Sequence, residues 1–221
     1  MVADVILAID VGGSHVKMRR SVGSEKRRFT SGPDLTATQM VDGVNAAAND
    51  WSFDRVSIGI PAPVLAGRVV SEPVNLGTGW VGFDFEGAFG KPTKVVNDAA
   101  MQALGSYEGG KMLFLGFGTG LGSTLVVDGV LEPMELGHLP FRKATFEDYV
   151  GERGRKRIGN KRWQKAVADT VEHLSAALEP EYLVIGGGNA KRLEVLPPNA
   201  RLGANDDALL GGFRLWDGRR R

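Results

Sequence analysis

The chain has 221 residues, 43% of them hydrophobic and 24% charged, and a formal net charge of +1. That length allows one large or two small domains, and the near-neutral charge makes no case for nucleic acid or a membrane surface as a partner. With no cysteine, disulfides and thiolate zinc sites are excluded, and no apolar run approaches the ~20 residues of a membrane span; a reducing, cytoplasmic setting is the expectation.

Residues 5–9 form a continuous apolar run, the pattern of a buried strand. It is too short for the apolar core of a signal peptide, and no basic segment precedes it. A glycine-containing turn follows, and residues 16–18 return as a second strand. Residues 37–50 put Met40, Val44 and Ala47 on one helical face. Residues 56–60 read as a strand. Residues 77–90, rich in glycine, read as a loop carrying Trp80, Phe83, Phe85 and Phe89, with Trp80 suited either to a sugar face or to the core. A strand over 94–96 leads through Asn97 and Asp98 into a helix over 99–107. Strands at 112–115 and 123–127 flank a second glycine-rich turn. Residues 163–178 space Trp163, Val167, Val171, Leu174 and Leu178 as an amphipathic helix, and a strand over 182–185 ends in three glycines. Strands mixed with helices predict an α/β chain.

Two segments repeat one design. Residues 5–19 and 112–127 each read strand, glycine- and hydroxyl-rich turn, strand. Glycine lets successive backbone N–H groups point at one anion. The repeat therefore predicts a duplicated domain with a phosphate clamp facing a central cleft. The division is placed at residues 97 and 98: an N-terminal lobe over 1–97 with the first phosphate turn, and a C-terminal lobe over 98–221 with the second.

Two commoner nucleotide motifs fail. The Gly105-to-Lys111 stretch resembles a P-loop, but Met112 stands where a magnesium-binding hydroxyl is needed and the segment leads into a strand; it reads instead as a glycine stop for the helix before it. A dinucleotide fingerprint fails because the chain after Ile9 returns as a strand where a helix is required.

The motifs taken together resemble a known family. Asp10-Val-Gly-Gly-Ser14-His-Val-Lys17 resembles the first phosphate motif of the sugar kinase–actin superfamily, and Leu115-Gly-Phe-Gly-Thr-Gly-Leu-Gly-Ser123 the second. Val95-Val-Asn-Asp98 resembles the connecting strand with its catalytic aspartate. Glu135-Leu-Gly-His138 and Ile185-Gly-Gly-Gly188 resemble the sugar and nucleotide motifs of the ROK (repressor, open reading frame, kinase) family, nearest to its bacterial polyphosphate glucokinases. The resemblance spans residues 6–212 and implies a two-lobed actin-like ATPase fold of ribonuclease H type. It implies a glucokinase that phosphorylates the 6-hydroxyl of glucose or a related hexose from polyphosphate or ATP, with Mg²⁺ as cofactor and a homodimer as the assembly. Most ROK kinases carry a cysteine-rich zinc loop after the histidine; residues 139–146 replace it here, so no structural zinc is expected. The start at the first phosphate strand argues against a helix-turn-helix repressor.

The resemblance also assigns roles. Asp98 becomes the base that accepts the sugar proton; the plainer reading of a carboxylate at this strand-to-helix junction is a helix N-cap. Asn75, Asn97, Glu135, His138 and Glu147 become sugar ligands, with Asn97 otherwise a turn residue, Glu135 and His138 otherwise a surface pair, and Glu147 placed through an altered loop. Gly12, Gly13, Ser14 and Lys17 face phosphate from the first turn, and Gly118, Thr119 and Gly120 from the second, although each turn alone is also an ordinary hairpin and Lys17 an edge charge. Gly186, Gly187 and Gly188 admit a nucleotide or phosphate chain, or simply turn the strand. Asp10 is the Mg²⁺ residue, through water. The basic run at 153–165 reads as a solvated helix face or a polyanion guide, and the tail Arg219, Arg220 and Arg221 as unstructured. A non-catalytic sugar or nucleotide sensor, and an actin-like assembly ATPase, are the rival readings. Intact Asp10 and Asp98 argue against the sensor, and the sugar motifs against the assembly ATPase.

Overall fold

The computed structural model describes residues 4–204 and 206–217; the Arg219–Arg221 tail lies outside them. In chain order the strands are β1 (Ile6–Val11), β2 (His15–Arg20), β3 (Lys26–Thr30), β4 (Arg55–Ile60), β5 (Val64–Leu65), β6 (Arg68–Val69), β7 (Thr93–Asn97), β8 (Lys111–Phe117), β9 (Leu121–Val127), β10 (Val130–Met134), β11 (Pro140–Phe141), β12 (Ala144–Thr145), β13 (Tyr182–Gly186) and β14 (Ala200–Leu202). The helices are α1 (Ala37–Ala47), α2 (Phe85–Phe89), α3 (Asp98–Ser106), α4 (Phe146–Val150), α5 (Glu152–Ile158), α6 (Asn160–Leu178) and α7 (Asp207–Arg214).

The described chain forms two compact units, one of residues 4–105 with 206–217 and one of residues 106–204. The first has a sheet ordered β3-β2-β1-β4-β7, the second a sheet ordered β10-β9-β8-β13-β14. In each, three antiparallel strands precede two added in parallel. The same topology twice is the duplication read from the glycine turns, and the α/β class holds.

The unit boundary differs from the one drawn after residue 97. Most of α3 packs with the first unit, and α7 returns to it from the far end of the chain. Glycine is the reason. A Cβ at Gly105 would fall inside contact with the Asp207 carbonyl, and one at Gly211 inside contact with the Met101 carbonyl, so α3 and α7 cross almost backbone to backbone. Gly105 is thus a helix-crossing residue within α3, and the stop read at this stretch comes one residue later. Gly212 lies against Ala8 of β1, and its carbonyl accepts the buried Ser57 hydroxyl at 2.6 Å. Trp216 donates to the same Ser57 oxygen at 2.8 Å, with Arg55 and Lys94 over its ring. Gly212 and Trp216 are fastened to β4 and β7 by these contacts.

On the other face of that sheet α1 buries Met40, Val41 and Val44, and starts at a capping box in which Thr36 and Gln39 exchange hydrogen bonds. The segment read as a loop at 77–90 includes α2, capped by Asp84. Trp80 is fully buried, its indole N–H donating to the Leu35 carbonyl at 3.2 Å, so the core reading of this residue is the correct one. In the second unit α6 begins three residues earlier than the periodicity predicts and buries Trp163, Val167, Val171 and Leu174 as expected.

Candidate active site

In the first unit Asp98 and Asp10 lie on one face of the sheet. β1 ends at the turn over residues 12–14, closed by Gly12 N–H to the His15 carbonyl at 3.0 Å. Ser31, just beyond β3, braces the turn: its N–H donates to the Ser14 carbonyl at 3.1 Å and its hydroxyl to the Gly12 carbonyl. Motif reading passes over Ser31 because only the pairing of β2 with β3 brings it there. Asn75 reaches the same turn, its Cβ 3.4 Å from where a Cβ on Gly13 would stand. Asp10 has Lys17 Nζ 3.5 Å from its carboxylate. Burial pushes the Asp10 carboxyl up, and Lys17 only partly opposes this. Lys17 is therefore the counter-ion of Asp10, beyond the edge charge it resembled.

Asn97 and Asp98 divide the junction between β7 and α3. The Asn97 side-chain oxygen accepts Ala99 N–H at 2.9 Å and Ala100 N–H at 3.2 Å, and its amide donates to the Ala62 carbonyl at 3.2 Å. That is N-cap geometry. Capping thus falls to Asn97, and Asp98 is the first helical residue, one oxygen sharing the Ala99 N–H at 2.8 Å. A Cβ on Gly59 would stand 3.4 Å from the Asp98 Cα, so glycine there lets α3 seat against β4.

The second unit gathers the sugar motif and the second phosphate turn. His138 Nδ1 lies 4.0 Å from a Glu135 oxygen and its Nε2 lies 3.8 Å from a Glu147 oxygen, all three side chains exposed to solvent. Two acceptor carboxylates around an imidazole suit a polyhydroxyl ligand. Ser123 holds the approach: its hydroxyl donates to the Met134 carbonyl at 2.7 Å and accepts Leu136 N–H at 3.1 Å. Glycines knit the rest. A Cβ on Gly120 would strike the Glu147 carboxylate, one on Gly137 would stand 3.4 Å from the Glu147 Cβ, and one on Gly151 would stand 3.1 Å from the Gly120 Cα. Between His138 and Glu147, the β11–β12 hairpin stacks Phe141 on Phe146 at 4.6 Å, and Arg142 pairs with Asp169 at 2.5 Å.

The turn over residues 118–120 is held from two sides. Glu152 N–H, at the start of α5, donates to the Gly118 and Thr119 carbonyls at 3.0 and 3.1 Å. Asn189 donates from its amide to the Gly118 carbonyl at 3.2 Å and from its backbone to Phe117 at 2.9 Å. Gly187 has a φ of +83° and lies against Phe117, so the Gly186–Gly188 turn abuts the phosphate strand. Arg155 grips Glu152 at 2.8 and 2.9 Å and holds its carboxyl at about 2. The basic run is broken by Gly159, φ +78°, between α5 and α6. Within it Arg155 serves Glu152, Arg157 donates to the Asp148 carbonyl at 2.7 Å, and Lys156 lies 3.5 Å from Glu152.

No family model matches the chain. Its curated relatives include the polyphosphate glucokinase of Mycobacterium tuberculosis (strain CDC 1551 / Oshkosh), 25% identical over 217 residues, covering 86% of this chain and 80% of that protein. Among solved structures, the inorganic polyphosphate/ATP-glucomannokinase of Arthrobacter sp. strain KM superposes with a TM-score of 0.80 at 23% identity, covering 95% of this chain and 97% of that one. A ROK family glucokinase from Streptomyces griseus, solved with glucose and AMPPNP, gives 0.75 at 16% identity over 96% and 98%. The fold is that of the ROK sugar kinases within the actin-like ATPase architecture. The curated relatives that the chain resembles are polyphosphate glucokinases.

Proposed function

We propose that the chain is a hexose kinase that transfers a phosphoryl group from polyphosphate or ATP to the 6-hydroxyl of glucose. One observation carries most of the reading. Asn97 caps α3 and Asp98 follows it as the first helical residue, so the carboxylate stands at the end of β7 on the sheet face that carries Asp10.

In this reaction the Asp98 carboxylate accepts the hydroxyl proton as the sugar oxygen bonds to the terminal phosphorus. The bridging P–O bond breaks, and its electron pair leaves on the shortened donor. Backbone N–H groups of Gly13 and Ser14 in the first unit stabilise the transferred charge, and the turn at 118–120 is the phosphate-binding element of the second unit. Glu135, His138 and Glu147 are the sugar ligands we assign to the second unit and Asn75 the one we assign to the first; Asn97 contributes through α3.

Asp10 suits a magnesium ion that arrives with the donor. Its carboxylate is costly to keep charged when, among the described residues, Lys17 is the cation that faces it. Among the described residues no three acidic or histidine groups cluster as a complete metal cage, so donor phosphates and water would complete the shell. Bound there, the ion would neutralise phosphate charge. A homodimer is the assembly we expect, and cytoplasm the compartment; no described helix is long and apolar enough to cross a membrane.

The test is to incubate the purified chain with glucose and each donor and measure sugar phosphate. A sensor or an assembly ATPase would bind ligand or hydrolyse ATP without forming it.

A further inference from the structure

One row of charge on the first unit's sheet is only partly used by this reaction. Register sets Asp10 opposite Lys17, Lys17 opposite Arg28, and Gly59 on the other side of Asp10. Residues paired across a sheet share a face. The row therefore reads Gly59, Asp10, Lys17, Arg28, with the backbone of Asp98 against Gly59 at its inner end. Strands lie about 4.8 Å apart, so the row extends roughly 14 Å.

The neighbouring cations are neutralised or covered. Arg19 lies over the Phe213 ring at 5.6 Å, and Lys26 pairs with Asp206 at 2.6 Å. Arg27, on the opposite face, is held by Asp50 and Glu25 and stacks on Trp51 at 4.1 Å. Arg28 differs. It is exposed, and among the described residues its guanidinium has no ion pair or hydrogen bond. It also stands directly across from Lys17, whose side chain is half exposed. Like charges in that position destabilise a strand pair. This like-charge pair, answered only on its Lys17 side by Asp10 among the described residues, adjoins the phosphate turn.

We propose that Lys17 and Arg28 form an anion track for the distal phosphates of a polyphosphate donor. The terminal phosphoryl lies by Asp98 and Asp10, and the following phosphates cross Lys17 and then Arg28 toward the sheet edge. This rests on the kinase reading and names where its longer donor runs. It also separates the donors: ATP offers one short triphosphate, whereas a polyphosphate chain reaches the outer cation.

The test is Arg28→Gln, an exposed position whose loss leaves the core untouched. Binding of long-chain polyphosphate to the whole protein, without sugar, is measured across a salt series. We expect about tenfold weaker binding, the worth of one charge-assisted contact, and a salt slope smaller by about 0.7. In turnover the KM for long-chain polyphosphate rises about tenfold more than that for ATP. Unchanged affinity and slope would overturn the track and leave Arg28 as a charge guarding an edge strand against aggregation. So would a loss confined to Lys156→Gln with Arg157→Gln, which would put the chain on α5. Arg28-dependent binding in a protein that makes no sugar phosphate would support the track and sink the kinase reading alone.

Discussion

Replacing Gly211 by alanine tests the α3–α7 crossing, because two principles predict opposite signs. In a helix interior, Gly→Ala stabilises by about 1 kcal/mol through propensity alone. Here the new Cβ would stand 2.8 Å from the Met101 carbonyl carbon and 2.9 Å from the Gly105 nitrogen, where ordinary contact begins at 3.4 Å. The carbonyl oxygen is closer still. Backbone cannot rotate away as a side chain can, so the helices must part by more than about 1 Å, and overpacking of this kind costs ~1–3 kcal/mol or more. At the upper end, less the propensity gain, the net loss is about 2 kcal/mol. For a chain of this size that lowers Tm by about 4–8 °C. Parting the helices also shifts α3, which carries Asp98, and a displacement near 1 Å can cost ~10²-fold in turnover. Thermal melts and kcat on the purified variant are the assays. A melting temperature raised above wild type would refute the crossing.

Asp98→Asn is expected to cut turnover by ~10²–10⁴-fold while glucose binding by calorimetry stays nearly intact; near wild-type turnover would remove it from the mechanism. Burial raises the Asp10 carboxyl, so the charged form disfavours folding. Asp10→Asn should therefore melt higher than wild type at neutral pH, the difference vanishing below the unfolded value of ~3.9, and should be inactive; equal melting at both pH values would contradict the burial argument. Zinc-selective chelators should change neither stability nor activity, whereas removing magnesium should abolish activity; stoichiometric zinc by elemental analysis, or full activity in excess EDTA, would count against this.

The sequence carried the duplicated sheets openly, because a glycine turn between short apolar strands is a local signal. It also placed Asp98 at the junction of β7 with α3. Which of two neighbours capped the helix was not legible, since Asn and Asp cap about equally well and the choice depends on where the Asn97 amide finds the Ala62 carbonyl. α7 was missed because two adjacent glycines argue against a helix locally; their use is tertiary, against Met101 and Ala8. For the same reason nothing local said which sheet α7 would pack on. Trp80 could be assigned to the core only once its indole partner, Leu35, was known. Ser31, Ser123 and Asn189 support the turns and the sugar motif through partners 11 to 71 residues distant, with no periodicity to mark them.

Phosphoryl transfer to a sugar hydroxyl can be followed atom by atom. The purified chain is incubated with glucose, magnesium and either long-chain polyphosphate or ATP, and products are followed by phosphorus NMR. Glucose 6-phosphate is expected in stoichiometric balance with donor consumed, with polyphosphate competent, and no product from the Asp98→Asn variant at matched times. Donor hydrolysis that is independent of glucose, or no sugar phosphate from either donor, would contradict it.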